Sequence, residues 1–264
     1  MGFWRNNQKG ASNRRPNAPA GYRAYAVGDV HGRLDLLDAL LAEVERDAKA
    51  RPTLKTHLVF LGDLIDRGPD SRAVVERLRT LRNDGFAPIF ILGNHEEVLL
   101  RLLGGELGLL ASWLKFGGAE CAASYGLDAR TLMRLPEREA IEAIRAAVPE
   151  THAEFIGSFI DTFRFGDYLF VHAGIRPGID LAGQSQRDLR WIRAAFLDSD
   201  SDHGFMVVHG HSIAADVVER SNRIGIDTGA YASGVLTAIG LEGAERWYLS
   251  TNATESEQSA TLVD

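Results

Sequence analysis

The sequence predicts an α/β fold of two packed mixed sheets flanked by helices, a layered α/β/β/α arrangement. Three observations carry that prediction. In the first hundred residues, three apolar runs each stop at a glycine and then place a polar side chain. They are Ala26-Val27-Gly28-Asp29-Val30-His31-Gly32, Phe60-Leu61-Gly62-Asp63-Leu64-Ile65-Asp66-Arg67-Gly68 and Ile91-Leu92-Gly93-Asn94-His95-Glu96. Short apolar runs bounded by glycine read as buried strands. Helical stripes separate these runs, which makes consecutive βαβ units and a parallel sheet with right-handed crossovers. From residue 161 the texture changes to short strands, enough for a second sheet packed on the first.

Taken in order, residues 1–20 are rich in Asn, Arg, Pro and Ala and read as a flexible lead-in to a domain spanning 21–250. The first helix carries Leu37, Leu40, Leu41 and Val44, the i, i+3, i+4, i+7 stripe of a helix lying on a sheet. The second opens near Asp70 and Ser71, both good caps, and carries Val74, Val75, Leu78 and Leu81. Residues 96–160 are helical by pattern, punctuated by Gly104-Gly105 and Gly117-Gly118, with a new helix after Pro136. The leucines of 98–114 read as a packed helix face. The predicted late strands are Tyr168–His172, Phe205–His209, Ile224–Asp227, Val235–Leu241 and Glu245–Leu249, all assigned to the second sheet. Residues 251–264 read as a flexible tail.

Composition narrows the function. The formal net charge of −7 gives no basic footprint, so no DNA partner is expected. A hydrophobic fraction of 45% and a charged fraction of 25% are ordinary for a globular protein. Residues 1–20 lack the apolar core of a signal peptide, and Arg101 and Glu106 interrupt the leucine-rich stretch before it could span a bilayer. With a single cysteine, Cys121, no intrachain disulfide can form, and the alanines around it suit a buried helix position. The expectation is a cytoplasmic protein with no membrane partner.

Asp29, Asp63 and Asn94 would emerge at the carboxyl ends of neighbouring parallel strands, where open α/β sheets place ligand sites. The second half adds Val171-His172-Ala173-Gly174 and Val208-His209-Gly210-His211, again at the ends of apolar runs. Collected, these residues make a two-metal site. Asp29, His31 and Asp63 would hold one divalent ion; Asp63, Asn94, His172 and His211 would hold the other, with His209 the alternative to His211. Asp63 is the natural bridge, because a carboxylate can serve ions roughly 3.5–4 Å apart. The mixture of oxygen and imidazole donors favours Mn, Fe, Zn, Ni or Co. Two such ions outweigh the aspartates and make a phosphate ester the natural guest. His95 would protonate the leaving group, Asp66 would orient it, and Arg67 suits bidentate contact with phosphate. Glu96 is expected to orient the loop rather than bind metal. His57, His152 and His203 have no partners by pattern.

Together Gly28-Asp29-Val30-His31-Gly32, Gly62-Asp63-Leu64-Ile65-Asp66-Arg67-Gly68, Gly93-Asn94-His95-Glu96, His172-Ala173-Gly174 and Gly210-His211 resemble the signature set of the metallophosphoesterases. Within that family they resemble specifically the bacterial and phage serine/threonine phosphatases of the phosphoprotein phosphatase branch. The resemblance runs over residues 22–250, with Asp63 34 residues after Asp29 and Asn94 31 after Asp63. Trp113-Leu114, Gly117-Gly118, Tyr125-Gly126 and Ile226-Asp227-Thr228-Gly229 also look like that branch. It implies a calcineurin-like fold, two metal ions (usually manganese), and direct attack of metal-activated water. By the same resemblance His95 is the general acid with Asp66 its partner, His211 is favoured over His209, and Arg193 in Trp191-Ile192-Arg193 is the second phosphate-binding arginine.

The substrate expectation is a phosphomonoester, above all phosphoserine or phosphothreonine in a protein. The alternative is a symmetrical dinucleoside tetraphosphate hydrolase, which would also act on nucleoside-capped RNA. Leu92, where the phosphatases often have arginine, leans toward the alternative; Asp66 and Glu96 lean against it. A catalytically silent scaffold would have no use for Asp66, Arg67 and His95 together.

Overall fold

The computed structural model describes residues 15–81 and 85–251. Its first half alternates as the stripes predict: β1 (Tyr22–Val27), α1 (Leu34–Ala50), β2 (Lys55–Phe60), α2 (Ser71–Arg79), β3 (Phe86–Phe90) and α3 (Asn94–Leu103). β1 pairs in parallel with β2, and β2 with β3. Pro88 is tolerated because β3 is an edge strand, where a missing N–H breaks no ladder. A run of helices follows: α4 (Leu110–Trp113), a π-helical turn (Leu114–Gly118), α5 (Ala119–Ser124), α6 (Ala129–Leu132), α7 (Glu137–Ala147) and α8 (Glu150–Gly157). The remainder is β4 (Thr162–Phe165), β5 (Tyr168–Val171), α9 (Gln186–Trp191), α10 (Ala194–Leu197), β6 (Met206–His209), β7 (Val218–Glu219), β8 (Arg223–Gly225), α11 (Ala230–Ser233), β9 (Thr237–Glu242) and β10 (Glu245–Ser250).

Two five-stranded sheets result, ordered β10-β9-β1-β2-β3 and β4-β5-β6-β8-β7. The last two strands therefore belong to the first sheet, not the second as the sequence order suggests. β1 is buried and needs a partner on each side; β9 supplies the second one, antiparallel, with Arg23 opposite Glu242. The Arg23 guanidinium, 1% exposed, is held by Glu242 at 2.7 Å and by the Pro52 carbonyl at 2.9 Å. Trp247 on β10 packs edge-on against Tyr25, and its indole N–H donates to Asp47 of α1.

Alternation along the strands builds the layers. Ala24, Ala26, Val59, Ile239 and Leu241 meet Phe165, Tyr168, Phe170, Val208 and Ile224 between the sheets. Tyr25, Val27, Leu58 and Phe60 face the other way, against Leu37, Leu40, Leu41 and Val44 of α1 and Val74, Val75 and Leu78 of α2. On the second sheet Leu169, Val171 and Val207 pack on Leu189, Ile192 and Phe196. The α/β/β/α expectation holds.

Most of the expected lead-in falls among residues that are not described. Residues 1–14 and 252–264 lie outside the described residues, but Asn17 and Ala18 are already tied down. Asn17 N–H donates to Asp167, and Ala18 N–H to the Gly243 carbonyl, which joins the two sheets at their shared end. Asp70 occupies the N-cap position of α2 without a side-chain cap bond, and the Ser71 hydroxyl is used elsewhere, accepting from Asp66 N–H. Among the described residues no helix is long and apolar enough to cross a membrane.

Candidate active site

Three parallel strands of each sheet end at one edge, so the residues that follow them meet there. β1, β2 and β3 deliver Asp29, Asp63 and Asn94; β5, β6 and β8 deliver His172, His211 and Asp227. The backbone there is strained. Among the described residues the non-glycine positions with positive φ are His31 (46°), Asp63 (50°), Asp66 (69°), Arg67 (67°) and His211 (62°). Each such conformation costs about 1–3 kcal/mol, and such strain gathers where geometry serves chemistry. Gly62 permits a close approach: at φ 94° it lies against the next loop, and a Cβ there would sit 2.6 Å from the Gly93 nitrogen.

Glu96 holds the second loop. Its carboxylate accepts from the backbone N–H of Asp63 (2.8 Å), Leu64 (2.7 Å), Ile65 (3.2 Å) and Gly93 (3.1 Å). Burial pushes its pKa up to about 7, with the neighbouring Asp63 charge adding to the rise. Four donors and no acceptor leave a carboxyl proton nowhere to bond, so the ionised form fits the pocket.

The histidines present bare nitrogens to Asp63. His31 Nδ1 donates to the Ile65 carbonyl at 2.8 Å, which leaves Nε2 a lone pair, 3.7 Å from Asp63 Oδ2 and with no hydrogen-bond partner. His172 Nδ1 donates to the Leu61 carbonyl at 2.8 Å, turning Nε2 toward Asn94 Oδ1 (2.9 Å) and Asp63 Oδ1 (3.4 Å). His211 Nε2 is buried and unpartnered. His31, Asp63 and His95 form one group with ligand atoms within 4.8 Å of one another, and Asp63, His172 and His211 form another. Lone pairs facing carboxylate and amide oxygens repel unless a cation or a proton lies between them. Burial lowers His31 to about 3 and His211 to about 2, so neither takes a proton near neutrality, whereas Asp63 raises His172 despite its burial. A divalent cation fits this donor set, and Asp63 belongs to both groups.

Asp29 stands slightly apart: its carboxylate accepts from the His211 backbone N–H at 3.0 Å and lies close to Asp227. Burial and these acidic neighbours raise Asp29 well above the usual carboxylate range. Asp63 moves the other way, because His172 and His95 outweigh its burial. His209 is not part of the cluster; its ring packs edge-on against Phe196 and its Nδ1 bonds the Gly210 carbonyl.

His95 Nδ1 lies 2.7 Å from Asp66 Oδ2, leaving Nε2 directed toward the centre, 3.9 Å from Asp63. Burial lowers the imidazole, but Asp63 and Asp66 together raise it further, so the net shift is upward. Asp66 itself is raised by burial. It also accepts from Trp113 Nε1 at 3.1 Å, and Cys121, buried on α5, lies close by. Arg67, Arg193, Asn94, His95 and His211 line one cleft of about 370 Å³.

Sequence reasoning misses three contributions. Trp113 is legible as part of the family likeness, but its bond to Asp66 is not. Asp227 is 3% exposed with Oδ2 unpartnered, and an aspartate after the apolar run Ile224-Gly225-Ile226 repeats the punctuation of the first half. Tyr231 packs edge-on against His31 and lies 4.9 Å from the Arg67 guanidinium; nothing local in the sequence marks it. The unassigned histidines are structural: His152 bonds Tyr125 and Glu76, His57 stacks on Tyr22, and His203 packs near Phe196.

Comparison with known proteins agrees with this geometry. A symmetrical bis(5'-nucleosyl)-tetraphosphatase of Aromatoleum aromaticum is 28% identical over 182 residues, 69% of this chain and 54% of that protein. The chain spans about half or less of the symmetrical relatives it first matches. The asymmetrical bis(5'-nucleosyl)-tetraphosphatase PrpE of Anoxybacillus flavithermus is 28% identical over 226 residues, 81% of this chain and 88% of that protein. Among solved structures, a candidate diadenosine tetraphosphatase superposes with a TM-score of 0.60 at 20% identity, covering 89% of this chain and 98% of the other. A point mutant of a cold-active protein tyrosine phosphatase shares the fold at a TM-score of 0.56 and 16% identity, over 90% of this chain and 82% of the other. Residues 22–233 match the model of the calcineurin-like phosphoesterases, and the chain belongs to that family.

Proposed function

We propose that this metallophosphoesterase hydrolyses dinucleoside tetraphosphates at a two-cation centre. The observation that carries the reaction is the convergence on Asp63 of the unpartnered Nε2 atoms of His31 and His211 together with His172 Nε2. Asp29, His31 and Asp63 hold one divalent ion; Asp63, Asn94, His172 and His211 hold the other. Manganese is the first ion to test, and iron, zinc, nickel and cobalt suit the same donors. Such ions, when bound, lower the pKa of a water and stabilise charge on phosphoryl oxygens.

The chain's own groups do the rest. Arg67 and Arg193 grip non-reacting phosphate oxygens, Arg67 steadied by Tyr231 and by its backbone bond to Gly117. Asn94 adds an amide contact. Asp66 accepts from His95 Nδ1–H and with Asp63 favours the imidazolium, whose second proton at Nε2 is available for the departing oxygen. Strain at Asp63 is offset by the N–H bonds to Glu96, and at Asp66 and Arg67 by the Asp66 N–H bond to the Ser71 hydroxyl and the Arg67 N–H bond to the Gly117 carbonyl, so the loop is set before substrate arrives.

The dinucleoside substrate moves ahead of the phosphoprotein first expected because the relatives matched over most of this chain are bis(5'-nucleosyl)-tetraphosphatases. One observation favours the phosphoserine or phosphothreonine reading: the fully built His95–Asp66–Trp113 chain suits an alkoxide leaving group, which needs a proton more than a nucleotide does. The test compares diadenosine tetraphosphate with a phosphoserine peptide at equal manganese. kcat/KM should be at least tenfold higher for the tetraphosphate, and a preference for the peptide overturns the substrate. The same assay separates two ADP from ATP plus AMP, and so symmetrical from asymmetrical cleavage.

A further inference from the structure

We propose that Phe116 and Trp191 form a nucleobase-stacking subsite beside the phosphate-binding arginines. Both rings line the cleft of about 370 Å³ that holds Arg67, Asn94, His95 and Arg193. Phe116 is 62% and Trp191 39% exposed; among the other described aromatics only Tyr231 and Tyr248 are as open to solvent as Trp191 or nearly so. Exposed apolar surface beside a polar centre marks recognition more often than chance.

Each ring is held in place. Phe116 rides the π-helical turn, where it and Gly117 leave helical geometry (φ −99° and 112°). Insertions of this kind recur at functional sites. The Gly117 carbonyl accepts the Arg67 N–H at 2.9 Å, so the turn that presents Phe116 is registered to the arginine that would grip phosphate. The Trp191 indole N–H donates to Glu97 at 3.0 Å, which satisfies its polar edge and leaves the ring face for contact. Two residues on, Arg193 completes the phosphate side of the cleft. Past Trp191 and Arg193 the cleft runs into a groove of about 950 Å³ whose lining balances Arg101, Arg176 and Arg187 against Glu97 and Asp188, with Arg176 paired to Asp188, so the phosphate side of the subsite rests on Arg67 and Arg193. Aromatic faces next to guanidinium groups complement a base joined to phosphates, because every base offers a π-face to stack.

The inference rests on the dinucleoside reading, so its test uses ligands that separate the two. AMP and ribose 5-phosphate share sugar and phosphate and differ only by the base. Both are titrated as inhibitors of p-nitrophenyl phosphate hydrolysis by the full chain with manganese, and the ratio of their Ki values is read. Stacking on an aromatic residue is expected to make AMP roughly 5- to 150-fold tighter. Phe116→Ala and Trp191→Ala should each shrink that ratio at least fivefold, and Phe116→Tyr and Trp191→Phe should restore it to within about threefold. Both rings are partly exposed, so truncation opens no large cavity, and the aromatic replacements keep the test valid if an alanine variant folds poorly. An unchanged ratio in both alanine variants overturns the subsite while leaving dinucleoside hydrolysis standing. A wild type that binds AMP no better than ribose 5-phosphate and prefers the phosphoserine peptide overturns both. Loss of phosphopeptide binding alone in the alanine variants assigns the wall to a peptide side chain and also overturns the proposal.

Discussion

Replacing Glu96 with glutamine tests whether the active loop is held by one buried carboxylate. Oε1 accepts from Leu64 and Ile65 and Oε2 from Asp63 and Gly93. An amide offers an oxygen to only one of these pairs; its NH₂ group meets the other pair donor to donor, whichever way it is flipped. Two charge-assisted bonds are therefore lost, at about 1.5–3 kcal/mol each, or roughly 3–6 kcal/mol together. Glu96 is fully buried, so water does not replace them. Against a typical total of about 5–15 kcal/mol this is a large share. At about 2–4 °C per kcal/mol for a chain of this size, Tm should fall by roughly 6–24 °C in metal-free protein. Activity should fall as well, because the same bonds fix Asp63 at φ 50°. Thermal melting followed by circular dichroism gives the first number and p-nitrophenyl phosphate hydrolysis the second. A Glu96→Gln variant that melts within about 2 °C of wild type with full activity would refute the reasoning.

Other expectations follow from the same geometry. His95→Asn should cost about 10²–10⁴-fold in kcat on an alkyl phosphate, the usual worth of a general acid, and at least tenfold less on diadenosine tetraphosphate. Equal losses on both substrates would remove His95 from proton transfer. Gly117→Ala places a Cβ 2.5 Å from Arg67 Cγ at φ 112°, so KM for phosphate esters should rise more than kcat falls. Unchanged KM would show that Arg67 does not bind phosphate. Trp113→Phe keeps the ring but removes the N–H that Asp66 accepts, and should lower kcat with KM and metal content held. A variant as active as wild type would make Trp113 packing alone.

The parts of the fold legible in the sequence were those set by local pattern. Leu37, Leu40, Leu41 and Val44 declare one face of α1, and the glycine after each apolar run declares the ends of β1, β2 and β3. Strand partnership is not local. β9 and β10 read as strands but gave no sign that β9 would lie beside β1, a choice made by the buried Arg23–Glu242 pair and the Trp247–Tyr25 contact across more than 200 residues. The candidate site divides the same way. Asp63, Asp66 and Arg67 share one motif and emerged together. Trp113, Tyr231 and the thiol of Cys121 reach the site through tertiary packing, and no spacing rule announces such contacts. His211 was preferred to His209 only by resemblance; in the structure both are buried and they differ in direction, His209 turning onto Phe196 and His211 toward Asp63 and His172.

Metal content tests the central claim, a two-cation centre with Asp63 shared, most directly. The full chain is loaded with manganese, freed of excess ion, and analysed for bound metal by plasma emission, alongside Asp63→Asn, His31→Asn and His211→Asn. The account predicts two ions per chain in the wild type, about one in each histidine variant, and fewer than half an ion in Asp63→Asn. A wild type that holds one ion, or an Asp63→Asn variant that keeps a full equivalent, would contradict it.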